Sequence, residues 1–311
     1  MEDLIMTQDR FSLDFSSAFD IFILDARIRR LSPRTLENYS YQIRRFVTWM
    51  EEEKGIFDIG GVKAVHVRGY LVYLQELGLS ANTQYTAAKV IRTWFNFLVR
   101  EEELSSSPMA SMQMPRLGKK RPVIFTDEEV TKIMKAIGNR RDLALVAFLL
   151  DTGLRRAELV TLDVGDVDMT TGIVRVRSGK GEKDRSVFLG MHARYTMRRY
   201  LAERGNPPPD APLWISETTG RGLTAAGVRM LLRRLRDKTG INHLTAHTFR
   251  RTCALWCLRS GMDVYQVAAI MGHADIGTLR HYLSFVESDL HDAHRRHSPM
   301  NGHMSKQRGR K

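Results

Sequence analysis

The residues of this chain best suited to chemistry are two arginine motifs, two histidines and a late tyrosine. His247-Thr248-Phe249-Arg250 is followed by Gly272-His273 and, nine residues later, by Tyr282. Upstream, Thr152-Gly153-Leu154-Arg155-Arg156-Ala157-Glu158-Leu159 sets another arginine at a turn-to-helix transition. Guanidinium groups clamp a phosphate through paired hydrogen bonds. Imidazoles move protons near neutral pH. A phenolic oxygen can attack phosphorus and hold it covalently. Such a set could cut a phosphodiester without a metal ion.

Taken singly, each residue has an ordinary explanation. Arg155 and Glu158 are spaced as a helical ion pair, which is common and weak. Arg156 competes with Arg155 for the same role. Lys180 sits in Ser178-Gly179-Lys180-Gly181-Glu182-Lys183-Asp184, a glycine-rich hairpin tip from which a lysine could protonate a leaving oxygen; Lys183 is its rival. His247 and Arg250 are three apart, so on a helix they share a face. A histidine or tyrosine alone is more often a satisfied core residue than a reactive one.

The order Arg155, Lys180, His247-x-x-Arg250, Gly272-His273, Tyr282 resembles the tyrosine recombinase (phage integrase) family. The resemblance favours Arg155 over Arg156 and Lys180 over Lys183, and makes Glu158 the accessory carboxylate. It implies that Arg155, Arg250 and His273 hold the non-bridging phosphate oxygens. His247 assists proton transfer, Lys180 protonates the leaving 5′ oxygen, and Tyr282 forms a 3′-phosphotyrosyl link. No metal and no cofactor is implied. Met271 stands where leucine is usual, and Thr252 to Cys257 departs from the family's usual helix.

Elements to position these residues can be read along the chain. Ser32-Pro33 caps a helix with Leu36, Tyr39, Ile43, Phe46, Val47 and Met50 at helical spacing. A helix from about Val62 to Leu77 stops at Gly78, and Ser80 caps the next, with Ile91, Phe95 and Leu98 inward. Thr126-Asp127-Glu128-Glu129 reads as a capping box, and Asp142 to Thr152 as a buried helix. Ile173 to Arg177 alternates like a strand that Arg185 to Leu189 could pair with, and helical signals resume from Arg194. The expected fold is mainly α with a small β-hairpin: a helical core-DNA-binding bundle and a catalytic domain, forming a clamp around DNA. The expected divisions are an acidic arm at 1–26, the bundle at 27–110, a basic linker at 111–125, the catalytic domain at 126–297 and a disordered basic tail at 298–311.

The net charge of +13 is unevenly spread, for residues 1–26 hold six acidic side chains against Arg10 alone. A basic body of this length suggests a polyanionic partner. Candidate DNA-binding residues are Arg34, Arg44, Arg45 and Lys89 in the bundle and Lys119, Lys120 and Arg121 in the linker. Cys253 and Cys257, the two cysteines, are one helical turn apart and read as core residues, without a disulfide framework. No apolar run is long enough to cross a bilayer, so the expected compartment is the cytoplasm, in association with the nucleoid.

Expected partners are double-stranded DNA with inverted core half-sites, three further copies in a synaptic tetramer, and accessory directionality or bending proteins. Val286, Leu290 and Ala293 form an apolar stripe that, by the resemblance, docks on a neighbouring subunit. Integration or excision of a mobile element is favoured over Xer-type dimer resolution because of the helix after Arg250. A catalytically silent DNA-binding protein and a relaxing type IB topoisomerase are the rival readings.

Overall fold

The computed structural model describes residues 13–118, 123–177 and 184–272, with single positions at 294, 298 and 300. It divides into two compact units, Met1–Lys119 and Lys120–Lys311. Among the described residues no helix is long and apolar enough to cross a membrane.

Among its described residues the first unit holds four helices: α1 (Phe15–Ile28), α2 (Pro33–Lys54), α3 (Ala64–Glu76) and α4 (Ala81–Arg100). Ser32 and Ser80 accept hydrogen bonds from the Thr35 and Thr83 amides, satisfying donors that a helix start leaves open. The core is aromatic. Phe46 meets Tyr70 edge-on at 5.1 Å, and the buried Trp94 indole donates to the Ala18 carbonyl at 3.1 Å. The boundary expected at Arg27 falls inside α1. That helix buries Phe15, Ala18 and Phe22 in the bundle core, which therefore begins well before Arg27.

The second unit comprises α5 (Asp127–Ala136), α6 (Arg140–Thr152), α7 (Arg156–Leu159), β1 (Ile173–Val176), β2 (Arg185–Phe188), α8 (Met191–Glu203), α9 (Ala225–Thr239), α10 (Ala246–Arg259) and α11 (Val264–Met271). The capping box forms as the spacing predicts: the Glu129 amide donates to Thr126 Oγ1 and the Thr126 amide to Glu129 Oε2. Helix α6 is buried along Ala144–Leu149 and packs against α8 and α10. Strands β1 and β2 are antiparallel, with Ile173 opposite Phe188 and Val176 opposite Arg185. Helix α8 starts at Met191, three residues earlier than expected, with Gly190 as its cap.

Thr252 and Cys253 have packing roles. Thr252 is fully buried; it accepts from the Phe125 amide at 2.9 Å and donates to the Thr248 carbonyl, tying the chain ahead of α5 to α10. Cys253 lies in a small core with Val267, Ala268 and Met271.

Candidate active site

Helix α6 ends on Gly153, whose φ of +60° is left-handed backbone that glycine adopts freely. The turn puts Arg155 at the start of α7. A Cβ at Gly153 would come within 2.6 Å of the Met271 terminal methyl, so the residue is required for close packing as well as for its backbone angle. Gly272 ends α11 in the same conformation, with φ +61°, and its Cβ would lie 2.9 Å from the Arg185 guanidinium.

These two turns receive the arginines. Arg250 is 6 % exposed; its Nη1 donates to the Gly153 carbonyl at 2.9 Å and its Nη2 to the Met271 carbonyl. The Arg155 Nη2 donates to the next carbonyl, that of Gly272, at 2.9 Å. Two arginines 95 residues apart in sequence thus grip consecutive carbonyls immediately ahead of His273.

Glu158 organises the arrangement. Its Oε1 accepts from Arg155 Nη1 at 2.9 Å and Arg185 Nη1 at 3.0 Å. Its Oε2 accepts from the Arg155 amide and from Arg185 Nη2, both at 2.8 Å. Burial alone would raise the Glu158 pKa, but the hydrogen bonds from Arg185 and Arg155 outweigh it and hold the carboxyl below its ordinary value. The carboxylate is therefore ionised at neutral pH. His247 lies in the first turn of α10. Partial burial and the charges of Arg251 and Arg250 lower its pKa, which favours a neutral imidazole able to accept a proton.

The structure brings together Arg155, Glu158 and Arg250, with His247 three residues before Arg250 on one helix. Lys180, His273 and Tyr282 lie outside the described residues, as do Lys119, Lys120, Arg121 and the stripe of Val286, Leu290 and Ala293. In the first unit Arg34, Arg44 and Lys89 are exposed and Arg45 is half-buried. Arg44 sits over the Phe19 ring, 5.4 Å from its centroid, so part of its surface serves packing.

Two features escaped the reading of the sequence. Arg185 was assigned only to a strand, although the alternation of β2 sets it on the face of the buried Val187. A cation on the inward side of a strand needs a partner, and that was the available signal. The second is α9, where Arg229, Arg233 and Arg236 recur at helical spacing. With Arg156 and the start of α10 they line a basic concavity.

Comparison with known proteins places this geometry among relatives. Residues 124–287 match the family model described as the phage integrase family, and residues 19–103 the phage integrase N-terminal SAM-like domain. The chain is 30 % identical over 294 residues to the tyrosine recombinase XerD of Oceanobacillus iheyensis, covering 91 % of this chain and 98 % of that one. It is 29 % identical over 280 residues to XerC of Leptospira interrogans, covering 87 % and 89 %. Among solved structures, the Tn1549 transposon integrase in complex with transposon right end DNA aligns with a TM-score of 0.73 at 18 % identity, covering 92 % of this chain and 100 % of that one. XerH bound to a palindromic difH substrate aligns with a TM-score of 0.71 at 22 % identity, covering 90 % and 83 %. At those identities the two structures speak to fold.

Proposed function

This chain belongs to the phage integrase family, and we propose that it is a site-specific recombinase that cleaves and rejoins duplex DNA through a 3′-phosphotyrosyl link at Tyr282. The observation that carries this reading is the convergence of Arg155 and Arg250 on the consecutive carbonyls of Met271 and Gly272. Fixed cationic donors on one short turn suit the charge that develops on a phosphorane, where preorganised donors act most strongly.

In this mechanism Arg155, Arg250 and His273 hold the non-bridging oxygens. His247, kept neutral, takes the Tyr282 proton as the phenolic oxygen attacks. Lys180 gives a proton to the departing 5′ oxygen. The covalent link conserves the energy of the broken bond, so a 5′ hydroxyl can reverse the step without ATP. Arg34, Arg45 and Lys89 in the bundle, the linker cations Lys119, Lys120 and Arg121, and the α9 arginines supply contacts to the phosphate backbone. Four copies assemble on paired inverted half-sites in the cytoplasm. The segment bearing Val286, Leu290 and Ala293 docks on a neighbouring copy, and accessory bending proteins assist.

The role favoured is integration or excision of a mobile element. A second reading, Xer-type dimer resolution, draws support from XerD and XerC relatives that are matched over most of their length. The packing roles of Thr252 and Cys253 weaken the use of that helix as a discriminator between the two.

The test is recombination between two plasmid-borne copies of a candidate site, in EDTA and without nucleotide. Paired element-boundary sites recombining in preference to a chromosomal resolution site supports the mobile-element role; the reverse preference supports the Xer-type role. Binding without cleavage of a nicked site would make the protein a silent DNA binder. Relaxation of any supercoiled plasmid, whatever its sequence, would make it a topoisomerase.

A further inference from the structure

Arg185 takes no part in the chemistry proposed above, yet its guanidinium is densely bonded. Its side chain is 10 % exposed, with both Nη atoms on Glu158 and Nε donating to the Ile270 carbonyl at 3.0 Å. We propose that Arg185 is a positioning residue that orients the guanidinium of Arg155 through the carboxylate the two arginines share, an inference that rests on the recombinase reading.

The geometry supports this in three ways. Each Glu158 oxygen accepts one bond from Arg155 and one from Arg185, so its rotation is fixed from both sides. Arg155 is the more exposed of the two, with 38 % of its side chain open, and a long side chain at that exposure needs an external brace to hold one orientation. Charge points the same way. Glu158 paired with Arg155 alone would cancel the charge a phosphate must meet; with Arg185 present the cluster keeps a net positive charge. Arg155 and Arg185 also hold the same turn, at the carbonyls of Gly272 and Ile270, and a side chain at Gly272 would collide with Arg185.

The experiment compares single-turnover cleavage of a nicked suicide substrate with half-site affinity, for full-length wild type, Arg185→Gln and Arg185→Lys, each below its melting temperature. Arg185→Gln should cleave about 10–100-fold more slowly, a loss of the size seen when the hydrogen-bonded partner of a metal-ligating residue is removed. Its affinity should stay within about twofold of wild type. Arg185→Lys restores the charge without the fork and should recover part of the rate. In an Arg155→Ala background, Arg185→Gln should cost less than about twofold, because the residue it positions is gone. If Arg185→Gln does not fold, Arg185→Lys carries the same comparison. Wild-type cleavage rates in the variants, or a loss undiminished in the Arg155→Ala background, would overturn the inference while leaving the recombinase reading intact. Failure of wild type to form any adduct would instead overturn that reading.

Discussion

The interiors of the two units differ in kind. Among the described residues of the first unit no charged side chain is buried, Gln42 and the Tyr70 hydroxyl are among the few buried polar groups, and aromatic rings dominate. Among its described residues the second unit buries Arg141, Asp142, Asp166 and Arg250 together with five threonines. Buried charge is costly unless it is paired and hydrogen-bonded. Here each of Arg141, Asp166 and Arg250 has close partners, and Arg250 directs one donor of each Nη atom to a turn carbonyl. A unit that needs only to present cations can keep an oily interior and wear its charge outside. A unit that must hold guanidinium groups still around a reacting phosphate has to pack them into the fold.

The contrast is sharpened most by a pair of substitutions. Arg250→Ala in the second unit should slow cleavage at least about 10²–10³-fold, roughly 3–4 kcal/mol of lost transition-state stabilisation. Half-site affinity should change little, as gel-shift titration beside single-turnover rates would show. If affinity fell in step with rate, Arg250 would be an ordinary backbone contact and the two interiors would not differ in purpose. Phe46→Ala in the first unit should do the opposite. Phe46 is fully buried, and its truncation should cost about 3–5 kcal/mol of stability. Denaturant melts would report that loss, and the protein that still binds should cleave at the normal rate.

A smaller effect concerns His247. Its pKa in the fold lies below its ordinary value, so on acidification the unfolded chain takes up the proton first. Stability from this group is present above about pH 6.5 and is lost as the pH falls through the folded value. His247→Gln should therefore melt with a slightly flatter pH dependence below that point. An unchanged slope would mean the imidazole is not held neutral.

Much of this organisation was legible in the sequence because it is local. Caps such as Ser32, Ser80 and Thr126 act over three residues, and the spacing of Ile43, Phe46 and Met50 writes a buried face directly into the chain. The alternation of Ile173 to Val176 likewise announced its strand. Motif order singled out Arg155, Glu158 and Arg250, which the structure brings to neighbouring turns. What could not be read was long-range: nothing near Arg185 indicates that its partners are Glu158, 27 positions away, and the Ile270 carbonyl, 85 away. The start of the first core was misjudged for a related reason. The acidic side chains around α1 suggested an arm, whereas its apolar stripe of Phe15, Ala18 and Phe22 finds its partners on helices far along the chain.

The central claim is that Arg155 and Arg250 serve a tyrosine that attacks phosphorus. It is tested most directly by trapping the protein on a nicked suicide substrate and resolving the product on a denaturing gel. Wild type should yield a covalent protein–DNA adduct whose DNA-linked peptide contains Tyr282. Tyr282→Phe should bind the same DNA with unchanged affinity and yield none. An adduct that persists in Tyr282→Phe, or wild-type protein that binds the site and never links to it, would contradict the account.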